Sequence, residues 1–221
     1  MTPTNRIKTI KEKIYFTLKD EICDGTYPPG CQVQEQEIAN RFGSSRSPVR
    51  EALRQLVSDG LLIEYPNRGV FVKRYSPKDI EDIFDMRILL EGYALREADE
   101  NMTPGSIVML NDLLQELKQH HQNGNLEQYI TKDANLHHKI VAMCKNDLVI
   151  STYERISDMT QQFRIYSLKS HKRFEESIDE HAQIINYLLE GKPAEADKIN
   201  REHLQRAKEA IIQYLNMLKE N

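Results

Sequence analysis

Apolar residues in the N-terminal part of the chain recur at helical spacing. Ile7, Ile10, Ile14, Leu18 and Ile22 form one stripe that stops at Gly25, and Tyr27-Pro-Pro-Gly30 prevents its resumption. A short second helix is predicted from Gln34 to Phe42, with Ile38, Ala39 and Phe42 inward and Gly43 as its breaker. A third helix runs from about Ser45 to Ser58 and gathers Val49, Leu53, Leu56 and Val57 on one side. Pro48 fits it only in the first turn, where its missing N–H has no partner to lose, and the hydroxyl of Ser45 or Ser47 is expected to cap it. Two helices joined by a tight turn are a helix-turn-helix. After Gly60 the pattern becomes β-rich. LLIEY and VFVKR, separated by Pro66-Asn67-Arg68-Gly69, predict a hairpin with a basic tip, and three helices plus this hairpin make a winged helix.

From Ser76, a cap followed by Pro77 at the first helical position, the pattern is helical throughout. Helices are expected near 77–99, 104–123, 126–145, 147–169, 174–190 and 193–219, broken at Thr103-Pro104, Gly124, Asn146 and Gly191-Lys192-Pro193. The fold class is therefore mainly α: a winged helix-turn-helix over residues 1–75, then a six-helix bundle domain over 76–221.

Charge divides along the same line. The formal net charge of −4 averages two unlike parts. Residues 1–75 hold 12 Lys and Arg against 9 Asp and Glu, and the remainder 18 against 25, so a head of +3 precedes a body of −7. The first residues contain no continuous apolar segment of signal-peptide type, and no apolar run approaches membrane-span length, so a cytoplasmic protein is expected. Cys23, Cys31 and Cys144 are odd in number and make no C-x-x-C pair, which points to reduced, inert thiols.

Arg46, Arg50 and Arg54 recur every four residues on another face of the third helix, so three guanidinium groups project together. Regular arginines alone describe a solvated face. The hydroxyl-rich helix start, the preceding short helix, the basic wing and the charge asymmetry together direct them at DNA. Arg46, Ser47 and Arg50 are placed for bases or phosphates in the major groove. Arg54 is placed for phosphate, and Arg68 and Gly69 at the wing tip for flanking backbone or the minor groove.

All seven histidines lie beyond residue 119. Asp133 and His137, four apart, share a helical face at a spacing that suits two ligands of one metal. His181 precedes Gly191 by ten residues and His203 follows it by twelve. If those helices pack antiparallel, both imidazoles lie about 15–18 Å from the turn and are level across it. One carboxylate and three imidazoles suit a divalent metal, Zn, Ni, Mn or Fe, without choosing among them. His120, His121, His138 and His171 belong to solvent or to ordinary hydrogen bonding.

With both parts read, the chain resembles the GntR family of bacterial transcription regulators, in its FadR subfamily with an all-helical FCD effector domain, and within that the six-helix, VanR-like branch. GTYPPG, SSRSPVREAL, NRGVFV, DMRILLE, DANLHHKIV and EHAQIINYLLEGKPAEADKINREHL carry the resemblance in this order over nearly the whole chain. It implies a divalent metal held by Asp133, His137, His181 and His203. Where the family often has a DNA-contacting arginine in the second helix, this chain has Gln36. Arg87, in DMRILLE, is a candidate to hold a carboxylate effector above the metal, with an ion pair to Glu91 as the alternative, and Arg164 is a further candidate.

The function expected is a ligand-responsive transcription regulator that binds operator DNA as a homodimer. Its small-molecule effector, an organic acid coordinating the metal, would alter the relative placement of two winged helices. A direct metal sensor is an alternative. A metal-dependent enzyme is another, but the sequence has no Glu-x-x-His pair and no H-E-x-x-H, so the expectation is no enzymatic activity.

Overall fold

The computed structural model describes residues 9–220. Its contacts divide the chain into two units, Met1–Arg74 and Tyr75–Asn221.

In the first unit, α1 (Ile10–Cys23) opens with a capping box: Thr9 Oγ1 accepts from the Glu12 N–H at 3.2 Å, and the Glu12 carboxylate accepts from the Thr9 N–H at 2.7 Å. Ile14, Leu18 and Ile22 are its buried residues; Ile10 is largely exposed, and Ile7 lies outside the described residues. The helix packs on α3 (Arg46–Ser58), which buries Val49, Ala52, Leu53 and Leu56, and α2 (Glu35–Phe42) adds Ile38 and Ala39 to the same core. Gly43, at φ 57°, ends α2 in the left-handed conformation that glycine adopts without steric cost. Pro48 falls in the first turn of α3. The expected hydroxyl cap is not made: Ser45 occupies the N-cap position, but no side chain caps the helix, and the neighbouring Ser44 Oγ turns to the Ser45 carbonyl.

The sheet has one strand more than the pattern suggested. β2 (Leu62–Tyr65) and β3 (Gly69–Val72) form the hairpin, with Tyr65 opposite Gly69, and β1 (Gln32–Val33) pairs antiparallel on the other side of β3. β1 is two residues long, too short to show a period, and its pairing depends on Phe71 and Val70 across the sheet.

The second unit comprises α4 (Pro77–Ala98), a 3₁₀ turn (Asp99–Asn101), α5 (Pro104–Gln122), α6 (Leu126–Ala142), α7 (Asp147–Leu168), α8 (His171–Leu189) and α9 (Pro193–Glu220). Side-chain caps set several starts. Ser76 and Asp79 cap α4 reciprocally, and Asn125, Asn146 and Ser170 cap α6, α7 and α8. The Ser170 cap starts α8 at His171, a turn earlier than expected, and α6 stops at Ala142, before Lys145 in the left-handed region at φ 53°. The largest apolar cluster of this unit joins α4, α5, α6, α8 and α9 through residues such as Leu95, Leu114, Leu136, Ile184 and Ala196. Gly92 lets α4 and α9 approach closely, since a Cβ there would stand 2.5 Å from Asp197 Oδ1. No helix among the described residues is long and apolar enough to cross a membrane.

Candidate metal centre and nucleic-acid face

Helical spacing on α6 turns Tyr129, Asp133 and His137 to one buried side at steps of four. α8 and α9, packed together on either side of Gly191, bring in His181 and His203, whose ring centroids lie 4.5 Å apart. One potential ligand atom from each of Asp133, His137, His181 and His203 falls within 4.8 Å of the other three, and all four residues are buried. His181 Nε2 is 3.1 Å from Asp133 Oδ1 and 3.4 Å from His137 Nε2, which is itself 3.8 Å from the same carboxylate oxygen.

Each imidazole is held from behind by its other nitrogen. His137 Nδ1 lies 2.8 Å from Glu91 Oε2 on α4, and His203 Nδ1 lies 2.7 Å from Glu180 Oε2 on α8. His181 Nδ1 is 3.2 Å from the Tyr129 hydroxyl, whose proton goes to Ser177 Oγ at 3.0 Å. Burial pushes the Glu91 carboxyl up, but the Arg87 guanidinium, His137 and Asn200 outweigh it and hold the group well below the usual carboxylate range. Burial likewise opposes ionisation of Glu180, and His203 and Arg173 bring it to about 2. Both carboxylates are therefore acceptors, Nδ1 of His137 and of His203 is the donor, and each Nε2 keeps a lone pair. The same argument through Tyr129 makes Nδ1 of His181 the donor. Burial keeps His137 and His203 neutral: it lowers His137, and burial followed by the neighbouring His181 takes His203 to about 3. Asp133 remains ionised, since the Arg164 guanidinium beside it overcomes its burial.

Three imidazoles and one ionised carboxylate, each with a ligand atom in the cluster, are a donor set for a borderline divalent cation. The carboxylates behind two of the rings are the outer layer such sites use to fix the tautomer. The residues present fit the ion.

Arg87 and Arg164 line one cavity beside the cluster, together with Asp133, Thr160, Arg173, Ser177 and His203. Both are buried. Arg87 Nε donates to Glu91 Oε1 at 2.9 Å, so the ion pair four residues along is made, and Arg164 pairs with Asp133 through Nη1. Arg173, the third buried guanidinium, pairs with Glu180 at 2.8 Å. The cavity holds about 20 Å³, room for one water molecule.

In the first unit, Arg46, Ser47, Arg50 and Arg54 are all exposed on α3, and Arg68 and Gly69 are exposed at the β2–β3 turn. Gly69 has φ 94° and Asn67 φ 59°, a turn with two left-handed residues, and the exposed Arg68 guanidinium lies 5.6 Å from the centre of the Tyr65 ring. Gln32 Nε2 donates to the Arg68 carbonyl at 3.0 Å, tying the tip to β1. Arg46 is gripped by Gln36, and Arg50 by Glu35 at 2.8 Å.

The family model for bacterial regulatory proteins of the gntR family matches residues 10–72, and that for the FCD domain matches residues 82–206. The chain belongs to the GntR family, in its FCD-containing form. This GntR-family chain is 27% identical to the HTH-type transcriptional regulator YdhC of Bacillus subtilis over 205 residues, 92% of its own length and 87% of that protein's. The structure of Escherichia coli McbR/YncC shares its fold with a TM-score of 0.80 at 23% identity, over 94% of this chain and 99% of the other. The metal-free FCD domain of the regulator TM0439 matches with a TM-score of 0.57 at 23% identity, over 65% of this chain and 99% of that one. The chain is a DNA-binding transcription regulator of the GntR/FCD type.

Sequence reasoning about this GntR-family chain named Glu91 only as a partner for Arg87, and it missed Tyr129, Arg173, Ser177 and Glu180 around the cluster. A signal was available. Ser157, Thr160, Arg164 and Ser167 on α7, and Arg173, Ser177, Glu180 and His181 on α8, are polar residues at helical spacing that are nonetheless buried. A polar stripe along the inward face of a helix marks groups that must find partners inside the protein. His138 lies outside the cluster, its ring edge-on to Tyr153 at 5.2 Å.

Proposed function

We propose that this protein is a cytoplasmic, ligand-responsive regulator in which residues 1–75 hold operator DNA and residues 76–221 bind metal and effector and dimerise. Arg46, Ser47 and Arg50 meet the major groove, Arg54 meets phosphate, and Arg68 with Gly69 brings the wing to the flanking backbone. Asp133, His137, His181 and His203 hold a divalent metal. The bound ion would supply a Lewis-acid centre with coordination positions left for an oxygen ligand. Arg87 and Arg164 are the groups to receive the carboxylate of a small-molecule effector, each then exchanging part of its present ion pair for the ligand. Met86 and Leu89, three residues apart and exposed on α4, give the helical domain an apolar strip suited to an isologous contact with a second copy.

The observation that carries this reading is the convergence of three imidazoles on one carboxylate, with the Nδ1 of every ring engaged behind it. Metal analysis of the purified chain, with native mass spectrometry for retained small molecules, tests it. Protein carefully prepared without chelator that holds no metal, and takes none up, would overturn it.

One observation favours direct metal sensing instead. A cavity of about 20 Å³ admits no organic acid unless side chains move. Titration of metal-loaded protein with a panel of small carboxylates separates the two readings. If metal alone produces the full change in DNA binding, and no acid alters it further, the ion is the signal. An enzymatic reading has no specific support in the site: the carboxylates nearest the cluster are engaged by arginine or histidine.

A further inference from the structure

We propose that Gln36 is a positioning residue for base readout by Arg46, and through it a determinant of operator preference. The inference rests on the proposed reading of DNA by α3.

Gln36 Oε1 accepts from Arg46 twice, from Nε at 2.8 Å and from Nη2. On its other side, Gln36 Nε2 donates to Asn40 Oδ1 at 2.8 Å, one turn along α2. Asn40 thereby fixes which way the Gln36 amide faces, and the amide oxygen fixes the guanidinium. The contact uses the Nε–Nη2 edge of Arg46. The opposite edge, Nη1 with the second proton of Nη2, remains available. That end-on pair of donors is one that can span O6 and N7 of a guanine.

Arg46 is the first residue of α3 and is exposed. A free arginine at that place would lose the freedom of a long side chain when it docked. Here part of the ordering is made before DNA arrives, which favours the one geometry a bidentate contact accepts. Arg50 is also braced, but by the Glu35 carboxylate, which offsets its charge. Gln36 is neutral, so Arg46 is aimed without that offset. The Asn40–Gln36–Arg46 chain thus links the two helices of the helix-turn-helix through the side chains that set one base contact.

The test begins with selection of a preferred site from a randomised double-stranded oligonucleotide pool by the full-length wild-type chain. Binding to that duplex and to its single-base variants is then measured for Gln36→Met, which keeps length but removes the acceptor, and Gln36→Glu, which keeps it. Arg46→Ala and the double variant Gln36→Met/Arg46→Ala complete the set. Arg46→Ala should erase preference at one base pair. Gln36→Met should reduce discrimination at that same pair by about fivefold or more, with an unchanged slope of log affinity against log salt, because no phosphate contact is lost. Gln36→Glu should retain the discrimination at lower overall affinity, and Gln36→Met should add nothing once Arg46 is alanine. Full discrimination in Gln36→Met, where Arg46→Ala abolishes it, would overturn the proposal. An effect of Gln36→Met at another base pair, or one that persists without Arg46, would overturn it too, by making Gln36 a direct DNA contact. If Arg46→Ala changes binding to no duplex, the reading of α3 fails, and the role of Gln36 with it.

Discussion

His137 Nε2 and His181 Nε2 face each other at 3.4 Å, with Asp133 Oδ1 3.1 Å from the second of them. With the Nδ1 protons directed to Glu91 and Tyr129, the facing atoms are lone pairs beside an anionic oxygen. Such an arrangement is repulsive unless a cation lies among the atoms, and buried polar groups without partners are costly. With that placement of protons, the cluster suits a set of ligands better than a set of hydrogen-bonding side chains.

His181→Ala and His203→Ala should therefore each lower bound metal and the thermal midpoint of the metal-loaded protein, by several degrees for a loss of one to a few kcal/mol. His138→Ala should do neither, since its ring packs on Tyr153 outside the cluster. Metal content by elemental analysis and calorimetric melting check both statements.

Glu91→Gln separates the outer layer from the ligands. Glu91 accepts from His137 Nδ1 and from Asn200, and neutralises Arg87. Its loss should weaken metal binding about 10- to 100-fold with all four ligands intact. It also leaves Arg87 buried beside a neutral amide, so stability without metal should fall by about 3–5 kcal/mol. Competition with a chromogenic chelator and urea unfolding measure the two effects.

Acid should destabilise the metal-free protein from near neutrality downward. His203 has a folded pKa of about 3, below its ordinary value, so the unfolded chain takes up the proton first and stability falls as pH drops from about 6.5 toward 3. Glu180, depressed to about 2, contributes stability above its ordinary carboxylate value, and this is lost as pH falls from about 4.5 toward 2. The two losses have the same sign. Unfolding free energy between pH 8 and pH 4 should stay level at the alkaline end and decline below about 6.5; a rise on acidification would contradict the buried, neutral assignment of His203.

Arg50→Ala should cost about 1–3 kcal/mol of operator binding if Arg50 reads a base, concentrated on the preferred sequence, and should weaken all duplexes evenly if it meets phosphate. Its side chain is exposed and leaves the apolar core of α3 untouched, so the melting curve should not move. Salt-dependent binding titrations distinguish the two cases.

Chelation should abolish the response to effector while leaving DNA binding altered rather than lost. The first unit has a core of its own, built on Ile14, Leu18, Val49, Leu53 and Leu56, that contains none of the metal-site residues. Sedimentation should show a dimer, and selected operators should be pseudo-palindromic.

Local periodicity determined much of this protein. The stripe through Ile14, Leu18 and Ile22, the break at Gly43, the serine cap at Ser76 and the Asp133/His137 step are all set by residues within a few positions of one another, and the helix geometry that reads them is fixed. Periodicity states which face of a helix is buried, and not what that face meets. Tertiary packing alone decided that Glu91 stands behind His137 and Glu180 behind His203, that Arg173 joins Arg87 and Arg164 at one cavity, and that Gln36 grips Arg46. It also decided β1, whose two residues have no pattern of their own and become a strand only because β3 offers them hydrogen bonds. These relationships join residues far apart in the chain. Around the metal cluster their energy comes from desolvated charges and shared protons, which exist only once the helices have closed around them.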